Sequence, residues 1–203
     1  MQRLGIFGGT FNPPHKGHIY IASEAMKGAN LDKVLFIPCG NPPHKVVEGD
    51  ALPQHRFEMT RLAIRDFPRF EITDLETRSA DLSYTAKTLE KLVAVYPTTK
   101  LCFILGGDSL RDMEKWYKPD KIFKLAEIVA LKRGGIADEI FDESAKFYRQ
   151  KYGAEITSVD VNPVKISSSE IRRKITSGED VQGIVDKAVL DYIRKFKIYR
   201  EKN

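Results

Sequence analysis

Two histidines three residues apart, His15 and His18, follow Gly8-Gly9-Thr10-Phe11-Asn12-Pro13-Pro14 and flank Lys16-Gly17 at the mouth of an amphipathic stretch. Paired glycines let backbone N–H groups approach an anion closely, prolines stiffen a turn, and imidazole and ammonium groups at a helix start add donors to its positive dipole end. The arrangement predicts a triphosphate cradle that is not a Walker loop. An ordinary strand-to-helix turn explains the Gly, Asn and Pro but gives the histidines no task. A two-histidine metal site is the other rival; helical zinc pairs usually sit four apart, and no third ligand cluster accompanies this one, so no protein-built metal site is expected.

A second anion-seeking pattern lies near the other end. Ile166-Ser167-Ser168-Ser169-Glu170-Ile171-Arg172-Arg173 reads as a capped helix start, with Ser167 and Glu170 spaced as a capping box. The same hydroxyls, first-turn N–H groups and Arg172 guanidinium would also converge on phosphate. Between the two lie Cys39-Gly40-Asn41-Pro42-Pro43-His44-Lys45, a stiffened polar loop; Ser83-Tyr84-Thr85, whose plain reading is a helix N-cap; and Gly106-Gly107-Asp108, where a cap competes with binding of ribose or metal-bound phosphate. Trp116-Tyr117-Lys118 contains the only tryptophan, either a core residue or a flat face for an aromatic ring.

To position these residues the chain offers apolar strands at 4–7, 33–38, 70–73, 101–105, 128–131 and 156–161, separated by helical stripes. The stripes are Ile19, Ala22, Ala25 and Met26; Leu89, Leu92, Val93 and Tyr96; and Phe141, Ala145, Tyr148 and Tyr152. Alternation of this kind predicts an α/β, Rossmann-like open, mostly parallel twisted sheet with helices on both faces. Ligands then gather outside the carboxyl ends of strands, where the 8–18 segment and the long 40–53 loop could face one site.

Bulk properties narrow the class. With 203 residues and 42% apolar content the chain is expected to form one domain, 1–203. A net charge of +5 suits small anionic substrates and does not require nucleic acid. Two cysteines, Cys39 and Cys102, outside any Cys-x-x-Cys spacing, point to a reducing, cytoplasmic setting. No leader and no apolar run near the roughly 20 residues that span a bilayer are visible, so no membrane is expected.

The 8–18 segment closely resembles the (H/T)-x-G-H signature of the nucleotidyltransferase superfamily, in the G-G-T-F-N-P-P-H-x-G-H form of the bacterial nicotinate-mononucleotide adenylyltransferases. Asn12 stands where that family more often has Asp. Thr in place of His15 would mark the branch acting on pantetheine phosphate. The 166–172 segment is similar to the superfamily's I-S-S-T-x-I-R element, with Ser169 for Thr, and His55-Arg56-Phe57-Glu58-Met59 matches a further family helix. The resemblance implies adenylyl transfer from ATP, carried with Mg²⁺, to nicotinate mononucleotide, giving deamido-NAD and pyrophosphate, with His15, His18 and Arg172 catalytic. It implies ATP contacts from Gly8, Gly9, Thr10, Phe11, His15, Lys16, His18, Gly106, Asp108, Arg133, Ile166, Ser167, Ser168, Ser169 and Arg172. Mononucleotide contacts are implied for Asn41, His44, Lys45, Ser83, Tyr84, Thr85, Trp116 and Tyr117. Lys132-Arg133-Gly134-Gly135 departs from the family's R-P-G, keeping the charge but loosening the loop. Family members often form homo-oligomers, which this sequence does not specify. Nicotinamide mononucleotide or another phosphate ester as acceptor, and a noncatalytic nucleotide- or RNA-binding module, are the alternatives.

Overall fold

The computed structural model describes residues 1–43, 47–49, 51–132, 137–163 and 165–199. Six strands, β1 (Arg3–Gly9), β2 (Lys33–Pro38), β3 (Phe70–Ile72), β4 (Lys100–Gly106), β5 (Glu127–Lys132) and β6 (Ile156–Asp160), form one sheet in the order β3-β2-β1-β4-β5-β6. The helices are α1 (Lys16–Gly28), α2 (Pro53–Ile64), α3 (Thr85–Val95), α4 (Gly107–Asp112), α5 (Pro119–Leu125), α6 (Ala137–Tyr152), α7 (Ser168–Thr176) and α8 (Lys187–Phe196). This is the Rossmann-like strand order, which reverses direction at β1. All six strands anticipated from apolar runs are present.

The chain divides into two compact units. The first comprises Met1–Phe7, Ile21–Leu35 and Tyr84–Pro163. Its strands β1, β4, β5 and β6 pair in parallel, Leu4 opposite Leu101, Ile104 opposite Val129 and Leu131 opposite Val159. Leu4, Ile6, 101–105 and 128–131 are buried as continuous runs, as strands covered on both faces require. Where β5 begins, the carboxylate of Glu127 accepts a bidentate pair from Arg3 at 3.0 and 2.9 Å, the hydroxyl of Thr157 at 2.7 Å and the Lys100 ammonium at 2.9 Å. Burial opposes its ionisation, yet those donors outweigh burial and hold its pKa near 2.

The second unit comprises Gly8–Tyr20, Phe36–Ser83 and Val164–Asn203. Its core gathers Met59 and Ala63 of α2, Ile171 of α7, and Val189, Leu190 and Ile193 of α8, closed by Val181, Val185, Ile198 and Tyr199. The Asp186 side chain caps α8 by accepting from the Ala188 N–H at 2.8 Å. Lys197 in the left-handed region ends that helix and turns the chain back. Both anion-seeking motifs belong to this unit.

Candidate active site

The loop leaving β1 is built around Phe11. Its backbone is left-handed, with φ of 46°, and its ring is 2% exposed, 5.7 Å from Phe36 and 5.0 Å edge-on from the His18 ring. Gly9 is glycine because a Cβ there would lie 2.9 Å from the Phe11 ring. The phosphate-approach argument made for this glycine therefore has a packing cause beneath it: Phe11 folds over the loop and supports a histidine.

His15 and His18 stack at 3.8 Å between ring centroids, tilted by 35°. His15 precedes the first residue of α1, and its main-chain N–H donates to His18 Nδ1 at 3.2 Å. A side chain three residues into the helix thus answers the cap N–H, as the acidic member of a capping box does. The bond fixes a tautomer: Nδ1 accepts, so the proton of the neutral His18 ring sits on Nε2. Burial pushes His15 down to about 4; burial, then the neighbouring His15 ring, push His18 down to about 3. Both imidazoles are neutral at physiological pH. His15 is 7% exposed, and its Nδ1 meets no hydrogen-bond partner among the described residues. Lys16 is exposed, and its main-chain N–H donates to the Ile184 carbonyl at 3.0 Å.

The second motif meets the first. Ser167 caps α7, its Oγ accepting from the Glu170 N–H at 3.2 Å, so the capping reading of this segment holds. Ser168 Oγ donates to the Pro13 carbonyl at 3.0 Å, and Arg172 Nη1 donates to the Asn12 carbonyl at 2.9 Å. Arg172 Nη2 reaches Ser169 Oγ at 3.2 Å and forms an ion pair with Glu48, whose side chain is 66% exposed against 14% for the arginine. Ile166 packs against the α2–α7–α8 core. Serines, an arginine and two histidines separated by some 150 positions of sequence thus line one locus.

The loop after β2 is tied to the same place by Arg56, 1% exposed. Its guanidinium donates to the carbonyls of Thr10 at 2.9 Å and Gly40 at 2.9 Å and to that of Cys39; burial lowers its pKa. The Cys39 N–H bonds the Gly9 carbonyl at 2.8 Å. The expected meeting of the loops after β1 and β2 is met within this unit. Ser83 does not cap α3: its Oγ accepts from the N–H groups of Gly40 and Asn41, both at 3.2 Å, and Tyr84 occupies the cap position without a side-chain bond. His44, Lys45 and Arg133 lie outside the described residues.

In the first unit, Gly106 caps the short helix α4 and Asp108 is exposed in its first turn. Tyr148 accepts from the Glu114 N–H at 3.0 Å and donates to the Arg111 carbonyl at 3.2 Å, fixing the segment that carries Trp116. Trp116 is partly exposed, its ring edge-on to Phe103 at 6.1 Å, so it is not a core indole. The Tyr84 and Tyr117 rings lie 4.5 Å apart, with Lys87 and Lys118 ammonium groups over them at 5.7 and 5.0 Å. Thr85 opens α3.

Sequence reasoning noted Arg56 within a helix motif but gave it no task, and gave none to Glu48 or Tyr199; only their tertiary partners reveal them. Among the described residues no group of three His, Cys, Asp or Glu could hold a metal ion, and no helix is long and apolar enough to cross a membrane.

Residues 6–174 match the family described as cytidylyltransferase-like. A relative from Carboxydothermus hydrogenoformans named "probable nicotinate-nucleotide adenylyltransferase" is 39% identical over 198 residues, covering 98% of each chain. One of the same name from Clostridium tetani is 37% identical over 98% of this chain and 100% of its own. The fold superposes on Plasmodium falciparum nicotinic acid mononucleotide adenylyltransferase complexed with NaAD, with a TM-score of 0.77 at 20% identity over 98% of both chains. Motif order, strand order and full-length relatives lead to one conclusion: the chain belongs to the cytidylyltransferase-like family of nucleotidyltransferases.

Proposed function

We propose that this enzyme transfers the adenylyl group of ATP to nicotinate mononucleotide, giving deamido-NAD and pyrophosphate, and that residues 1–203 act as one catalytic domain. The observation that carries the reading is the convergence of the two anion-seeking motifs: Arg172 and Ser168 bond the carbonyls of Asn12 and Pro13, beside the stacked histidines. The names of the full-length relatives supply the acceptor.

The mononucleotide's phosphate attacks the α-phosphorus of ATP in line, and pyrophosphate leaves. A phosphate monoester is largely ionised at neutral pH, so no general base is needed. Two neutral imidazoles suit that chemistry. They do not take a proton from the nucleophile; they offer N–H donors where charge builds on the triphosphate, with Arg172, the serine hydroxyls and the starts of α1 and α7 adding positive potential. Asn12, Thr10 and Gly9 shape the loop, and Gly106 and Asp108 are assigned to the nucleoside side. Mg²⁺ enters with ATP as part of the substrate. The reading places the enzyme in the cytoplasm, where its two free cysteines stay reduced.

For the acceptor, Trp116 stacks on the pyridine ring. Tyr84, at the cap position of α3, makes no side-chain cap bond, which suits a carboxylate seated at the first N–H groups of that helix. Nicotinamide would turn an NH₂ donor toward donors, and a polar site left unpaired in this way discriminates by about 10²-fold or more. A pyrophosphate-release assay tests this: kcat/KM should favour nicotinate over nicotinamide mononucleotide by that factor, and equal values would refute the acceptor assignment while leaving the ATP site standing.

A further inference from the structure

Asn12 is 3% exposed and joins three distant segments. Its Oδ1 accepts from the Tyr199 hydroxyl at 2.6 Å, its Nδ2 donates to the Glu48 carbonyl at 2.7 Å, and its own carbonyl accepts from Arg172 Nη1 at 2.9 Å. The amide is therefore oriented: Oδ1 faces a hydroxyl donor and Nδ2 a carbonyl acceptor, and turning it over would break both bonds at a buried site.

Tyr199 is itself held to do this. It is 4% exposed and adopts a left-handed backbone, with φ of 63°, two residues after left-handed Lys197. Aromatic residues rarely adopt that conformation, so local preference does not place it there. Its carbonyl accepts from Thr176 Oγ1 at 2.8 Å at the end of α7, the helix that carries Arg172. Its ring and the Arg172 stem both pack under Gly49, whose φ is 82°; a Cβ there would stand 3.3 Å from the ring and 3.6 Å from Arg172 Cδ. One residue thus touches both ends of the arginine's support: α7 through its carbonyl and Asn12 through its hydroxyl.

We propose that Tyr199 is a positioning residue for the phosphate-binding arginine, acting through Asn12. The Asn12 carbonyl sets one guanidinium nitrogen of Arg172, and the Tyr199 hydroxyl sets Asn12; Tyr199 thereby tunes affinity for the triphosphate without touching it. The inference rests on the assignment of Arg172 to phosphate. Tyr199→Phe keeps the ring and the packing and removes only the hydroxyl. Displacements of about 1 Å in a positioned group cost up to 10²-fold; loss of one bond in this relay is expected to raise KM for ATP, and Kd for inorganic pyrophosphate by calorimetry, about tenfold. KM for the mononucleotide should stay within about twofold. In an Arg172→Ala background the same change should add nothing to the pyrophosphate Kd, because coupled residues are non-additive. Unchanged pyrophosphate affinity in Tyr199→Phe, an equal effect in both backgrounds, or a lowered Tm with both KM values moved alike would overturn the proposal. If Arg172→Ala alone leaves pyrophosphate affinity intact, the phosphate assignment of the arginine falls, and the proposal with it; a weakened Arg172→Ala beside an unaffected Tyr199→Phe removes only the tyrosine.

Discussion

Lowering the pH from 7 to 5 should destabilise this protein through its two stacked histidines, before most carboxylates titrate. In the unfolded chain each ring has a pKa near 6.5; in the fold His15 is pushed to about 4 and His18 to about 3. Between those values the unfolded state binds more protons than the folded state, so stability rises with pH. The contribution is fully present above 6.5 and is lost as pH falls toward the folded values. From pH 7 to 5 an unfolded ring takes up most of a proton while the folded ring stays neutral, which costs roughly 2 kcal/mol per ring and about 3–4 for both. Urea denaturation of the wild type and of His15→Asn/His18→Asn at the two pH values measures it: the double variant should lose roughly 3 kcal/mol less than the wild type. Identical pH dependence would mean that the fold does not hold the rings neutral, and the pKa values of about 4 and about 3 would be refuted.

The remaining expectations concern single side chains. His18→Ala should lower kcat by about 10²–10³ with the mononucleotide KM little changed, as loss of a transition-state donor does; near wild-type turnover removes His18 from the site. Trp116→Ala should raise the mononucleotide KM selectively and leave ATP affinity alone, and substrate should perturb the fluorescence of this single tryptophan; a uniform loss of folding stability without that selectivity would return Trp116 to a packing role. Arg56→Met should cost roughly 3–5 kcal/mol in urea denaturation, because three loop carbonyls lose a buried cationic donor; a change under about 1 kcal/mol would show that the loops hold without it.

The sequence by itself determined the strands and most of the helical stripes, because apolar runs and 3.6-residue spacing are local properties; in the second stripe Val93 is exposed and Tyr96 lies just beyond α3, so its buried face rests on Leu89 and Leu92. It also determined the chemistry on offer: His15 and His18 at a helix mouth, and Ser167 with Glu170 at another, are legible as neighbours in the chain. Ser83 shows where that reading ends, since a serine before a helix looks like a cap, yet its hydroxyl bonds N–H groups 42 and 43 residues away. Arg56 in a helix pattern looks like one more surface charge, and only the arrival of the Thr10, Cys39 and Gly40 carbonyls around it makes burial tolerable. Phe11 and Tyr199 take left-handed backbones that their side chains disfavour locally, so no propensity announces them. Tertiary structure alone decided that Arg172 would rest on the carbonyl of a residue 160 positions earlier and that Tyr199 would hold that residue from 187 positions later. Hydrogen bonds of that reach depend on where packed helices α2, α7 and α8 leave their polar ends, which no local spacing records.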